Sequence, residues 1–224
     1  MNITKDLKKL VNKEEDINLK NKKIDILDSL DLTYSLQKEE YKYTPLLKNV
    51  EKKFDLLKEN KDHISQKSYE EVVKFVNSKF YLISVDGYFK SELSNIPPKV
   101  KIKKYSELER DEKDTFENMY QKHDDSKSDF FSSLNSIIHE DCLTISVDSN
   151  TVLKEHITII NINENYDVNN YRKMIFCDKG SEISIFERFI NLKIDENFSS
   201  SVTEIYQAEN SKLNYYSAQD FKEN

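Results

Sequence analysis

Asp148-Ser149-Asn150-Thr151-Val152-Leu153 is echoed by Asp178-Lys179-Gly180-Ser181-Glu182-Ile183 and again by Ala208-Glu209-Asn210-Ser211-Lys212-Leu213, at a step of 30 residues. The third position is Asn or Gly in every copy, and these are the residues that best tolerate a left-handed backbone. The fourth is Ser or Thr, and the sixth is aliphatic. Strand, tight turn, strand at a fixed period is the sequence form of a β-solenoid. An ordinary antiparallel sheet is the competing reading. The period is long for one tight coil, so longer corner loops are expected, with Asn163 to Asn170 as one of them. Leu143, Ile145 and Val147 alternate as strand residues do, and Ile157, Ile159 and Ile162 do so less strictly.

Upstream of Cys142 the periodicity is mixed. Leu7, Leu10 and Val11 form a short helical stripe, and Ile24, Leu27 and Leu30 continue at helical spacing, with Ile17 and Leu19 less regular. Thr44-Pro45 reads as a helix start, which would bury Leu46, Leu47, Val50 and Phe54. Lys79 to Val85 is rich in β-formers and runs into Asp86-Gly87 and then Tyr88-Phe89, a hairpin signal because both central residues accept positive φ. Ile96-Pro97-Pro98 breaks the chain, and Val100 and Ile102 suggest a short strand. Ser106-Glu107-Leu108-Glu109 has the form of a capping box opening a charged helix to about Gln121. Phe130, Phe131, Leu134, Ile137 and Ile138 make an apolar helical stripe that reads as core packing. The expected fold class is therefore α+β. A helical and mixed region spans residues 1–140, with a hairpin near 80–90, and the start of a β-helix fills 141–224.

Composition narrows the function. The chain has 224 residues, 37% hydrophobic and 33% charged, with a formal net charge of -7. An acidic chain lacks the basic field that displaces counterions from nucleic acid. Arg110, Arg172 and Arg188 are the only arginines, so bidentate clamps on phosphate or carboxylate are scarce. No run approaches the roughly 18 apolar residues of a membrane span. Met1 to Leu10 carries four charges and no apolar signal core, so a reducing cytoplasm is expected. Gly87 and Gly180 are the only glycines, and there is no P-loop, dinucleotide fingerprint, zinc-protease helix or nucleophile elbow.

Four segments resemble, in order, the SufB/SufD family of iron–sulphur cluster assembly proteins and its SufD branch in particular. Glu39-Glu40-Tyr41-Lys42-Tyr43-Thr44-Pro45-Leu46 is similar to the motif E-x-W-K-Y-T-P-L, with Tyr41 in the place of Trp. Ser84-Val85-Asp86-Gly87-Tyr88-Phe89, followed by Glu92-Leu93-Ser94, resembles the family hairpin. Tyr171-Arg172-Lys173, the turn at Gly180 and Ile185-Phe186-Glu187 resemble its Y-R to V-I-E run. Phe198 to Asn210, with Val202-Thr203-Glu204-Ile205 inside, resembles the segment that follows. The resemblance implies a helical N-terminal region and a right-handed parallel β-helix. It implies SufB-like and SufC-like partners, the latter an ATPase, and a role as scaffold rather than enzyme. It places the iron–sulphur cluster at the level of the complex, with no cofactor held by this segment. The family's later coils, cluster ligands and ATPase-binding helices would lie beyond Asn224, so the chain is expected to be truncated inside the β-helix. The strand region Lys212 to Phe221 would then expose an edge and make the isolated chain associate.

The residues with chemical potential read blandly. Cys142 and Cys177 show no CxxC spacing and fit small buried apolar positions better than ligands or sulphur acceptors. His139-Glu140-Asp141-Cys142 puts metal-binding types in a row, but consecutive side chains do not converge on one ion, and a helix running into a strand explains them. His123-Asp124-Asp125 reads as a solvated loop, and His156 beside Glu155 as a surface pair. No catalytic, cofactor-binding or metal residue is assigned. Two further readings stand: a stand-alone β-solenoid binding or carbohydrate-acting module, for which Asp148 and Asp178 share one repeat position and Ala208 breaks the series, or a truncated remnant without function.

Overall fold

The computed structural model describes residues 3–30, 64–122, 130–139, 141–165, 167–192 and 197–220. Among these residues the helices are α1 (Ile3–Lys13), α2 (Ile17–Ser29), α3 (Gln66–Val73), α4 (Arg110–Met119) and α5 (Phe130–Ile138). The strands are β1 (Phe80–Val85), β2 (Tyr88–Asn95), β3 (Val100–Lys104), β4 (Cys142–Val147), β5 (Ile157–Asn163), β6 (Val168–Cys177), β7 (Glu182–Asn191), β8 (Phe198–Gln207) and β9 (Lys212–Asp220). The helix start at Thr44-Pro45, with Leu46, Leu47, Val50 and Phe54, lies outside the described residues. So do the Glu39–Leu46 motif, His123-Asp124-Asp125, Glu140 and Phe221.

The fold is α+β, with two sheets of mostly parallel strands. One sheet has the order β2-β1-β5-β7-β9 and the other β3-β4-β6-β8. From β4 to β9 consecutive strands alternate between the sheets; β6 to β9 each pair in parallel with the strand two places earlier, and β5 pairs in parallel with β1. Among the described residues antiparallel pairing joins only β1 to β2 and β3 to β4, so an ordinary antiparallel sheet is ruled out for the repeat. Cys142 pairs with Arg172, Cys177 with Gln207 and Glu182 with Lys212, which is the 30-residue step of the sequence.

The turns explain why that step is visible. Asn150, Gly180 and Asn210 take φ of 56°, 67° and 57°. Each turn closes on itself, from Thr151 N–H to Asp148 O (3.2 Å), Ser181 to Asp178 (3.0 Å) and Ser211 to Ala208 (3.1 Å). The first two also bond to the turn that follows: Asn150 N–H donates to Lys179 O at 2.9 Å and Gly180 N–H to Glu209 O at 3.0 Å. A side chain at Gly180 would sit 2.7 Å from Asn150 Oδ1 as well as in a left-handed conformation.

The step breaks once. Val152 still bridges Glu182, but β5 meets β7 with Ile157 opposite Ile185 and Asn163 opposite Asn191, an offset of 28. Two extra residues lie in the corner between Val152 and Ile157, and two more between β7 and β8 restore the 30-residue step at Val168 and Phe198. The corner expected over Asn163 to Asn170 is shorter than its polarity suggests. Asn163 ends β5, and Val168 to Asn170 already belong to β6. Polar residues there point inward and find partners: Asn163 Nδ2 donates to Ser199 Oγ at 2.7 Å.

Three packed layers of apolar side chains hold the sheets. Leu82, Leu143, Ile145, Ile157, Ile159, Ile175, Ile183 and Ile185 meet between them. The α3 residue Val72 covers Ile83, Val85, Ile160, Ile162 and Ile190 on the outer face of the first sheet. Leu7, Val11, Leu19, Phe116, Leu134 and Ile137 pack over Cys142 and Met174 on the outer face of the second. Each enclosed Ile or Leu contributes about 1.5–3 kcal/mol. The hairpin strands β1 and β2, with β3, extend both sheets, so the mixed region and the repeats share one core. On α2, Ile24 is exposed and Leu19 and Ile26 are buried instead. The charged helix begins at Arg110, not after Ser106: residues 105–107 form a 3-10 turn closed by Lys104 N–H on the Glu107 carboxylate (2.9 Å), and Glu109 N–H bonds the Glu112 carboxylate instead (2.9 Å). It ends at Met119 because Gln121 turns left-handed, at φ 56°.

Candidate functional site

The polar residues of the recognisable segments gather at three joints. The first lies where α4 and α5 meet the second sheet. Arg172 faces outward from β6, and its side chain is 0% exposed. Its guanidinium donates to Ser136 Oγ at 2.6 Å, pairs with Glu204 of β8 and stacks over the Tyr120 ring at 4.6 Å. Glu204 also accepts Gln121 N–H at 2.8 Å, just past the end of α4. Tyr206 completes the attachment by donating to Met119 O. One ion pair thus ties the ends of two helices to neighbouring strands.

Beside it, Tyr120 Oη lies 2.7 Å from His139 Nε2 and 3.1 Å from Ser136 O. Burial, with Lys23 and Arg172 nearby, holds the His139 imidazole well below its usual pKa, so the ring is neutral. Lys23 Nζ donates to His139 O (3.0 Å) and to Glu14 (2.9 Å). His139 therefore follows the end of α5, and Asp141 leads into β4 at Cys142, the helix-to-strand passage expected there. Cys142 is fully buried, and its thiol is pushed up to about 12 by that burial. Asp141, at the same junction, is raised to about 6 by burial, with Lys104 opposing the shift.

The second joint lies between the sheets. Lys173 of β6 and Glu187 of β7 form an ion pair at 2.8 Å, with both side chains 3% exposed. Glu187 also accepts Asn161 Nδ2 at 2.6 Å and the Tyr215 hydroxyl. Lys173 reaches Ser201 Oγ at 3.3 Å and lies 5.7 Å from the ring centres of both Tyr171 and Phe189. Burial, then the Glu187 charge, raises the Tyr215 hydroxyl above its usual pKa.

The third joint is the hairpin tip. Asp86 and Gly87 take φ of 51° and 94°. The Asp86 carboxylate accepts Glu164 N–H and Asn165 Nδ2, each at 2.8 Å, and burial raises its pKa despite those bonds. A side chain on Gly87 would meet Asn170 O at 2.6 Å, so Gly is required here on two counts. Glu164 in turn anchors α3 through Ser68 Oγ at 2.6 Å.

The remaining candidates do not converge. Cys177 is buried between the sheets, and its thiol is raised to about 11 by burial. Asp148 pairs with Lys101 at 3.2 Å on an exposed turn. Asp178 accepts the Ser149 hydroxyl, which lowers its pKa and makes it a poor proton donor. His156 bonds Asn77 Oδ1 at 3.2 Å. Among the described residues, no group of three or more His, Cys, Asp and Glu is placed to hold a metal ion, and no helix is long and apolar enough to cross a membrane. Sequence reasoning singled out the segments holding Arg172, Glu187 and Glu204 but not their pairing. The available signal was charge inside otherwise apolar strand runs, since an inward Lys or Glu needs a counter-charge. A family model described as the SufBD protein N-terminal region matches residues 5–159. No curated protein matches the chain.

Proposed function

The chain belongs to the SufBD family, and we propose that it works as a SufD-like, non-enzymatic scaffold in iron–sulphur cluster assembly. Membership itself points to cluster assembly. The observation that carries the scaffold reading is where the polar residues of the recognisable segments go. Asp86, Arg172, Glu187 and Glu204 each spend their charge on a contact within the chain. Such residues set a shape for others to bind.

On this reading the alternating strands are the first coils of a right-handed parallel β-helix. The 30-residue step and the stacked left-handed turns support it. The partners are a SufB-like scaffold and a SufC-like ATPase in the cytoplasm. The cluster is cargo of the complex, and this segment holds no cofactor of its own. The test is co-expression of the tagged chain with SufB-like and SufC-like proteins, followed by affinity capture and gel filtration. A single peak holding all three is expected, and it should assemble clusters when given iron and a cysteine desulphurase. The proposal is overturned if the chain elutes alone at micromolar concentration while the other two bind each other.

A further inference from the structure

We draw no further inference here: the strongest candidate, the cleft of about 750 Å³ between the α1–α2 turn, strand β2 and the α5–β4 joint, has its less exposed charges already paired within the chain (Lys23 with Glu14, Lys113 with Asp16, Lys104 with Asp141), so nothing in the structure states the chemistry of what would fill it.

Discussion

Replacing Glu187 by Gln tests whether the two sheets enclose a dry ion pair. The change keeps the shape of the side chain and one acceptor oxygen, so no cavity opens. It removes the counter-charge of Lys173, whose side chain is 3% exposed. An uncompensated buried charge costs about 3–5 kcal/mol. The Tyr215 hydroxyl, which now donates to Glu187, can turn to accept from the new amide, so that bond is kept and the cost isolates the lost charge. Lys173→Met should cost less, because Glu187 keeps the bonds from Asn161 and Tyr215. The double variant should cost clearly less than the two single costs together, with a coupling of about 2 kcal/mol. The chain has no Trp, so urea unfolding is best followed by far-ultraviolet circular dichroism. With a urea slope of about 2 kcal/mol/M, Glu187→Gln should move the midpoint down by about 2 M. Single costs below about 1 kcal/mol, or additivity within about 0.5 kcal/mol, would show that water reaches the pair and that the sheets do not close over it.

Gly180→Ala forces a side chain into φ 67° and against Asn150, and should cost about 1–2 kcal/mol in thermal unfolding; Gly87→Ala should cost more, because the obstacle there is the Asn170 backbone. Asp141 has a folded pKa of about 6, above its ordinary 3.8, so its contribution to stability is full below about pH 4 and is lost as pH rises through about 6. Asp141→Asn should therefore flatten the stability profile between pH 4 and 6 and stabilise the protein at pH 7 by up to about 3 kcal/mol; an unchanged profile would mean that the carboxyl is solvated. Both thiols are buried and raised, so iodoacetamide at pH 8 should label neither Cys142 nor Cys177 in the native state and both in urea. Rapid native labelling of either would contradict the packing.

The turn column was readable because a left-handed residue has few chemical solutions. Asn150, Gly180 and Asn210 announce the same backbone three times, and Asp86-Gly87 announces the hairpin for the same reason. The apolar stripe of α5 was readable because its spacing matches a helix buried on one face. The 28-residue offset at β5 was not, since Lys154 and Glu155 carry nothing that separates a corner insertion from a strand end. Nor was the inward turn of Asn161 and Asn163. Asn is a common sign of a loop, and only the partners on other strands, Glu187 and Ser199, make these two strand residues.

Charge placement carries the same lesson for the site. A parallel pair puts registered residues on the same face, so Arg172 and Val202 both point at the helices, and Glu204 follows two residues later on that face. The Arg172–Glu204 contact thus runs diagonally between neighbouring strands, and no spacing within one strand betrays it. What could have been weighed is the choice of residue. In a chain with 34 basic residues, three of them arginines, Arg172 lies in a dry position where it bonds two groups and sits over a ring. A lysine ammonium could pair with Glu204, but it could not also hold Ser136 in the plane of a fork while stacking on Tyr120. Arg172→Lys should therefore loosen the α4–α5 attachment while leaving the strand register intact. Hydrogen exchange would read this as faster exchange confined to α4 and α5. Equal acceleration across β4 to β9 would mean that the arginine holds the stack itself and not the helices upon it.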